Sequence, residues 1–185
     1  MAEELDDLTL ARAQAGDSSA LSRLVRHYER PVFALVARVL CGRAPTEDVA
    51  QEAFIRVLRG LSTFDPKGPA RLSSWILTVA TRTSLNALRA RPREQPTEDL
   101  EPAGPGPVSP EQLAADRERT RRVGVAMAAL PEEARAVLVL RAYHDLDYPE
   151  IAAALALEVG TVKSRLARAR VALRACLART EKEQS

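Results

Sequence analysis

Between Pro66 and Arg93 the chain carries Lys67, Arg71, Arg82, Arg89, Arg91 and Arg93, and between Val159 and Thr180 it carries Lys163, Arg165, Arg168, Arg170, Arg174 and Arg179, with no Asp or Glu in either stretch. Those residues are part of 27 basic ones, whereas all 25 acids lie elsewhere, so the net charge of +2 conceals two cationic segments on an acidic remainder. Carboxylates beside Lys or Arg cancel the field that attracts phosphates. Segregating the two signs therefore builds surfaces for a polyanion. Two such surfaces on one chain predict two contacts along one nucleic acid.

The rest of the composition narrows the alternatives. Cys41 and Cys176 are far apart and share no CxxC spacing, and His27 and His144 are isolated, so neither a metal site, a disulfide framework nor a Cys/His catalytic pair is supported. Both thiols read as free and buried. No Gly-rich phosphate loop, HExxH or GxSxG occurs, so no cofactor is implied and the chain does not read as an enzyme. The first residues are acidic where a signal peptide needs positive charge, and apolar runs such as Val32 to Ala37 and Ile151 to Leu157 are too short to span a bilayer. A cytoplasmic protein without membrane insertion is expected.

The second cationic stretch has a scaffold written before it. Asp147-Tyr148-Pro149-Glu150 is a capping box with proline in the first turn, and Ile151, Ala152 and Leu155 follow on one apolar face. A break at Ala156-Leu157-Glu158 precedes a basic helix starting near Val159. This is the pattern of a helix-turn-helix, with Ala152 at the crossing and Val162 as buried anchor. At 100° per residue Val162, Leu166, Ala169, Leu173 and Leu177 share one side, leaving Thr161, Ser164, Arg165 and Arg168 to face away from it. Hydroxyls and guanidinium forks on such a helix suit base edges in a major groove, while Lys163, Arg170 and Arg174 suit the flanking phosphates.

The first cationic stretch follows a turn, Asp65-Pro66-Lys67-Gly68-Pro69, and continues along a helix expected from about Ser73 to Arg89. Lys67 and Arg71 on the loop, with Arg82, Asn86 and Arg89 on the helix, are the base-contacting candidates. Trp75 could stack on an unpaired base, but its spacing with Leu72, Ile76 and Val79 favours a place in the core.

Helix signals account for the remainder. Asp17 or Ser18 caps a helix with Leu21, Leu24, Val25 and Tyr28 inward, and Pro31 is expected to open a second, apolar helix ending near Gly42. Thr46 is expected to cap a third, whose stripe Val49, Ala53, Val57, Leu58 and Leu61 is buried, with Asp48, Gln51, Glu52, Ile55 and Arg59 opposite. Further helices start at Ser109-Pro110 and Leu130-Pro131. No segment alternates with period two, so the fold class is all-α: two small helical domains, 1–91 and 111–185, the second with the helix-turn-helix. They are joined by an acidic, Pro-rich linker, 92–110, that holds half of the chain's 12 prolines. Extended at about 3.1 Å per residue, that linker can hold the two modules apart.

The residues now carry a resemblance. Glu47-Asp48-Val49-Ala50-Gln51-Glu52-Ala53-Phe54, Leu72 to Arg89, and Gly160-Thr161-Val162-Lys163-Ser164-Arg165-Leu166 resemble, in this order, three helices of bacterial RNA polymerase sigma factors of the extracytoplasmic-function (ECF) group. These are the polymerase-binding, minus-ten and minus-thirty-five helices. The resemblance implies docking on core RNA polymerase through Asp48, Gln51, Glu52, Ile55 and Arg59. It also implies capture of a flipped, single-stranded minus-ten base near Lys67, Arg71, Arg82, Asn86 and Arg89. Thr161, Lys163, Ser164, Arg165, Arg168 and Arg170 would then sit on double-stranded minus-thirty-five DNA, and an anti-sigma factor is implied as a further partner. The chain departs from the family in Arg82, where Asn is usual, in Asn86, where Asp is usual, in Ala156 for the turn Gly and in Glu158 for a Ser cap. A stand-alone helix-turn-helix regulator would use only the second half, and an anti-sigma-binding decoy would have lost the basic helices.

Overall fold

Two aspartates start the fold. The Asp6 carboxylate accepts from the Thr9 amide at 2.8 Å and opens α1 (Asp7–Gln14). Asp17 does the same for α2 (Ser18–Leu40), accepting from Ser19 N and Ala20 N while Arg12 donates to it from α1. These bonds hold the Asp17 carboxyl well below its usual range, the Ser19 hydroxyl contributing most. The computed structural model describes residues 4–90 and 110–182, and contains no strand among them.

Pro31 does not begin a helix: α2 runs straight through it. A mid-helix proline forfeits one backbone bond and costs about 3 kcal/mol in isolation. Here Leu24, Tyr28, Val32, Leu35, Val36 and Val39 form one uninterrupted buried stripe, and its burial outweighs that loss. The helix ends at Cys41, a buried residue in the left-handed region at φ 48°.

In α3 (Thr46–Gly60) Thr46 is the first helical residue and makes no cap bond; Pro45 stands at the cap position. The buried stripe is Val49, Ala50, Ala53, Phe54 and Val57, continued by Leu61 in a short 3-10 turn, Leu61–Thr63, while Leu58 is exposed. α4 (Leu72–Arg89) is the central helix, against α2, α3 and α7. Its interior is unusually polar. Thr81, Thr83 and Ser84 are buried, and their hydroxyls donate to Leu77 O, Val79 O and Ala80 O at 2.7 to 2.8 Å. Each hydroxyl is thus satisfied by its own helix. Trp75 is half-buried and packs against the core on Phe64 at 5.2 Å between ring centroids.

The second half comprises α5 (Pro110–Ala128), α6 (Glu132–Ala142), α7 (Tyr148–Leu155) and α8 (Val159–Lys182). The expected capping box is present: Asp147 accepts from Glu150 N and Glu150 accepts from Asp147 N, both at 2.8 Å. Ala156 ends α7 in the left-handed conformation at φ 54°, so the turn does require the backbone that a glycine would supply. Val162, Leu166 and Ala169 of α8 are buried, and Leu173 and Leu177 are half-buried. The expected Ser109 cap and linker residues 92–109 lie outside the described residues.

One expectation fails at this level. The two halves are not held apart: α7 packs along α4, α6 packs against α2 and α4, and one continuous apolar core runs through both. Apolar burial drives this.

Candidate nucleic-acid interface

The loop after the 3-10 turn is fixed by Asp65, whose carboxylate accepts from the Lys67 amide at 2.9 Å, leaving the Lys67 side chain in solvent. Arg71, at the end of that loop, reaches across to α7 and forks onto Glu150 Oε1, with Nη2 at 2.7 Å and Nε at 3.0 Å. Ser74 Oγ donates to the same oxygen at 2.5 Å. Burial pushes the Glu150 carboxyl up, but the bonds from Ser74, the Asp147 amide and Arg71 together bring it below its ordinary value.

About two turns beyond Ser74 along α4, Arg82 donates from Nε to Ala154 O and from Nη2 to Ala153 O, both at 2.8 Å. These carbonyls belong to the last turn of α7, where unpaired acceptors and the negative end of the helix dipole attract a cation. Asn86 is exposed, and Arg89 lies 3.4 Å from both Asn86 Oδ1 and Glu133 Oε1. Glu133 in turn holds Arg165 of α8. Arg71, Arg82 and Arg89 from one basic stretch, and Arg165 from the other, are thus engaged by α6 and α7. Neither Glu133 nor Glu150 is identifiable in the sequence as a partner of these cations, because an acid in the first turn of a helix is explained locally by the dipole and the cap.

Along α8, Lys163, Ser164, Arg168 and Arg170 are exposed and Thr161 is half-buried. The Arg168 Nε donates to Ser164 O at 3.3 Å, Ser164 Oγ to Thr161 O at 3.0 Å, and Lys163 Nζ lies 5.8 Å from the Tyr148 ring centroid. The helix presents hydroxyls and cations on one continuous surface, except that Arg165 turns inward to Glu133.

Asp48, Gln51, Ile55 and Arg59 are all exposed on α3, and Glu52 pairs with Arg56 at 2.7 Å. Leu58 joins them, so that Ile55 at 42% and Leu58 at 37% exposure form a small apolar patch in a polar face. The sequence reading had assigned Leu58 to the core.

Where α6 meets the end of α2 lies a buried cationic centre. Arg135 is fully buried; its Nη1 donates to Met127 O and Ala128 O, at 3.3 and 3.4 Å, while Nε and Nη2 have no partner. Arg43 donates to Ala128 O at 3.1 Å and pairs with Glu132 at 3.6 Å. Burial disfavours the charged form of Arg135 and also keeps the neighbouring Cys41 thiol protonated. Among the described residues, no group of His, Cys, Asp and Glu is arranged to hold a metal ion, and no helix is long and apolar enough to cross a membrane.

Two helical units, one with an exposed apolar-and-charged helix face beside a basic helix and the other with a short turn leading from α7 into the basic α8, are the arrangement of a sigma-type transcription initiation factor. Residues 24–94 match the family model for sigma-70 region 2, and residues 120–173 match that for sigma-70 region 4. The ECF RNA polymerase sigma-E factor of Escherichia coli K12 is 37% identical, over 94% of this chain and 95% of its own. The RNA polymerase sigma-H factor of Pseudomonas aeruginosa is 33% identical over 94% of each. The chain belongs to the ECF group of RNA polymerase sigma factors. Among solved structures, CnrH in complex with the cytosolic domain of CnrY superposes with a TM-score of 0.66 at 28% identity, over 92% of this chain and 96% of that one. The fold is also that of the Bartonella quintana sigma factor RpoE, solved with the anti-sigma factor NepR, with a TM-score of 0.69 at 19% identity over 85% of this chain and 96% of that one.

Proposed function

We propose that this ECF sigma factor boards core RNA polymerase through the α3 face, Asp48, Gln51, Glu52, Ile55 and Arg59, with Leu58 added to it. Residues 1–91 form the module that docks and opens the minus-ten element, using Lys67, Arg71, Arg82, Asn86 and Arg89. Residues 111–185 form the module that reads the minus-thirty-five duplex through Thr161, Lys163, Ser164, Arg165, Arg168 and Arg170, and residues 92–110 tether the two. The protein acts in the cytoplasm, carries out no catalysis of its own, and is held in check by an anti-sigma factor.

The observation that supports this most is the division of surfaces. Ile55 and Leu58 offer apolar contact on α3, which packs on α2 and α4, whereas exposed cations lie on α8, so polymerase and DNA would use different side chains. Promoter opening by base capture needs a few kcal/mol, which unstacking-prone sequence and cationic contacts reduce. Purified protein mixed with core polymerase should form a stable complex and start transcripts at defined positions on genomic DNA. Duplex binding without polymerase and no transcript would mean a stand-alone regulator instead.

A further inference from the structure

The helix that carries the proposed minus-ten residues does not close its own first turn. Arg71 stands at the cap position of α4 without a side-chain bond to the turn, and that turn holds no acid. The first N–H groups of a helix have no partner within it. Ser73 is one of these residues and is buried, at 3% exposure, so its amide and its hydroxyl need an acceptor inside the protein. That acceptor comes from 69 residues earlier in the chain: Glu4 takes the Ser73 amide on Oε2 at 3.3 Å and the Ser73 hydroxyl on Oε1. A carboxylate here also meets the positive end of the helix dipole, as a cap belonging to α4 itself would.

Glu4 is itself held in place. Leu5 is buried, its amide donates to the Tyr28 hydroxyl at 3.1 Å, and that hydroxyl lies 3.5 Å from Glu4 Oε2. Burial, reinforced by the Glu4 charge, pushes Tyr28 up to about 12, so it stays a phenol that can donate. Asp6, next along, caps α1. Residues 4–6 therefore form a strap fastened to α1, to Tyr28 of α2 and to the first turn of α4. Arg71 stands two residues before Ser73, and Glu150, with Glu4 behind it, favours its charged form. The bonds made by Glu4 reach α2 and α4 but not α3.

We propose that Glu4 is a positioning residue for promoter opening: it fixes the first turn of α4, and with it the loop that carries Lys67 and Arg71, in the geometry that captures a minus-ten base. The inference rests on the assignment of that loop and of α4 to the minus-ten strand. Without Glu4 the Ser73 donors lose their acceptor, and the turn that ends the loop is no longer pinned. Small displacements of groups that must meet a base cost binding directly. The docking face on α3, which Glu4 does not touch, keeps its place.

The test uses the full-length chain assembled with core polymerase. The probe is a fluorescein-labelled single strand carrying the minus-ten sequence of a promoter located by mapping transcript starts, and permanganate reactivity of thymines in the same promoter reports opening of the duplex. Glu4→Ala should bind core polymerase as the wild type does, yet capture the oligonucleotide about tenfold more weakly and leave the duplex thymines less reactive. Glu4→Gln, whose amide oxygen still accepts from Ser73, should recover most of the capture. The proposal is overturned if Glu4→Ala captures the strand normally. It is equally overturned if both variants bind more tightly, which would make Glu4 a carboxylate that only repels DNA, or if Glu4→Ala loses polymerase and oligonucleotide together, which would make it a general stabiliser of the fold. Should Glu4→Ala not fold, Ser73→Ala, which removes only the hydroxyl donor, replaces it with the same expected pattern on a smaller scale. Misassignment of the loop would appear separately, as normal capture by Lys67→Ala with Arg71→Ala, and failure of the sigma assignment as absence of transcripts from the wild-type chain with core polymerase.

Discussion

Ala156→Gly should make the protein more stable, although it removes a side chain. Ala156 sits at φ 54° and ψ 51°, where an L-residue's Cβ crowds the following carbonyl. That conformation costs a non-glycine residue roughly 1–2 kcal/mol. Glycine relieves it but gains freedom in the unfolded chain, worth about 0.4–1 kcal/mol against the folded state. Ala156 is exposed, so little packing is lost. The balance is a net gain of about 0.5–1 kcal/mol, equivalent to about 2–4 °C per kcal/mol in the melting temperature of a chain this size. Urea unfolding followed by helical circular dichroism measures it, and Ala156→Val should move the midpoint the opposite way because a β-branched residue tolerates this region worst. If Ala156→Gly lowers the midpoint, the strain assigned to this turn does not exist.

Ile55→Glu should weaken the complex with core polymerase by about tenfold, since roughly 1.4 kcal/mol corresponds to the loss of one small apolar contact. Its thermal midpoint should be little changed, because Ile55 is 42% exposed; normal assembly would displace the docking surface from α3. Arg168→Ala should cost roughly 1–3 kcal/mol on the preferred minus-thirty-five duplex and relax its sequence preference, whereas equal weakening on every duplex would make Arg168 a phosphate contact. His144 provides a pH signature. Burial, aided by Arg38, lowers its pKa from 6.5 to about 4. Between these values the unfolded chain binds the proton that the folded chain refuses, so stability falls as pH drops through that window and levels off below it, by at most about 3 kcal/mol. Denaturant titrations from pH 7 to pH 4 should show this slope, and His144→Leu should remove it.

What was legible in the sequence was largely what is local. The Asp147 capping box, the Asp17 cap and the apolar face of α8 each depend on residues within two turns of one another, and each is present. Pro31 misled because its local preference for a helix start was overruled by a stripe that continues on both sides of it. The α3 stripe was placed slightly off, putting Leu58 inside instead of Phe54. α2 and α4 both press on α3 and fix which arc faces inward, and that depends on two partners the periodicity does not name. The closure of the two halves was invisible for a related reason. Arg71 and Glu150, or Arg89 and Glu133, are many residues apart, and each charge has a sufficient local explanation as a cation on a basic stretch or an acid in a first helical turn. Charge segregation along the chain identified which residues could meet a polyanion, but not which of the protein's own acceptors would reach them first.

The hydroxyls of α4 bear on how easily its neighbours can leave. Thr81, Thr83 and Ser84 spend their donors on their own backbone and ask nothing of an adjoining helix. A partner helix that slides off this rod therefore strips away only van der Waals contact there, and leaves behind no stranded polar group demanding its return. At these three positions the shaft behaves as a bearing, and what fastens α7 to it is confined to a few side chains such as Ser74 and Arg82.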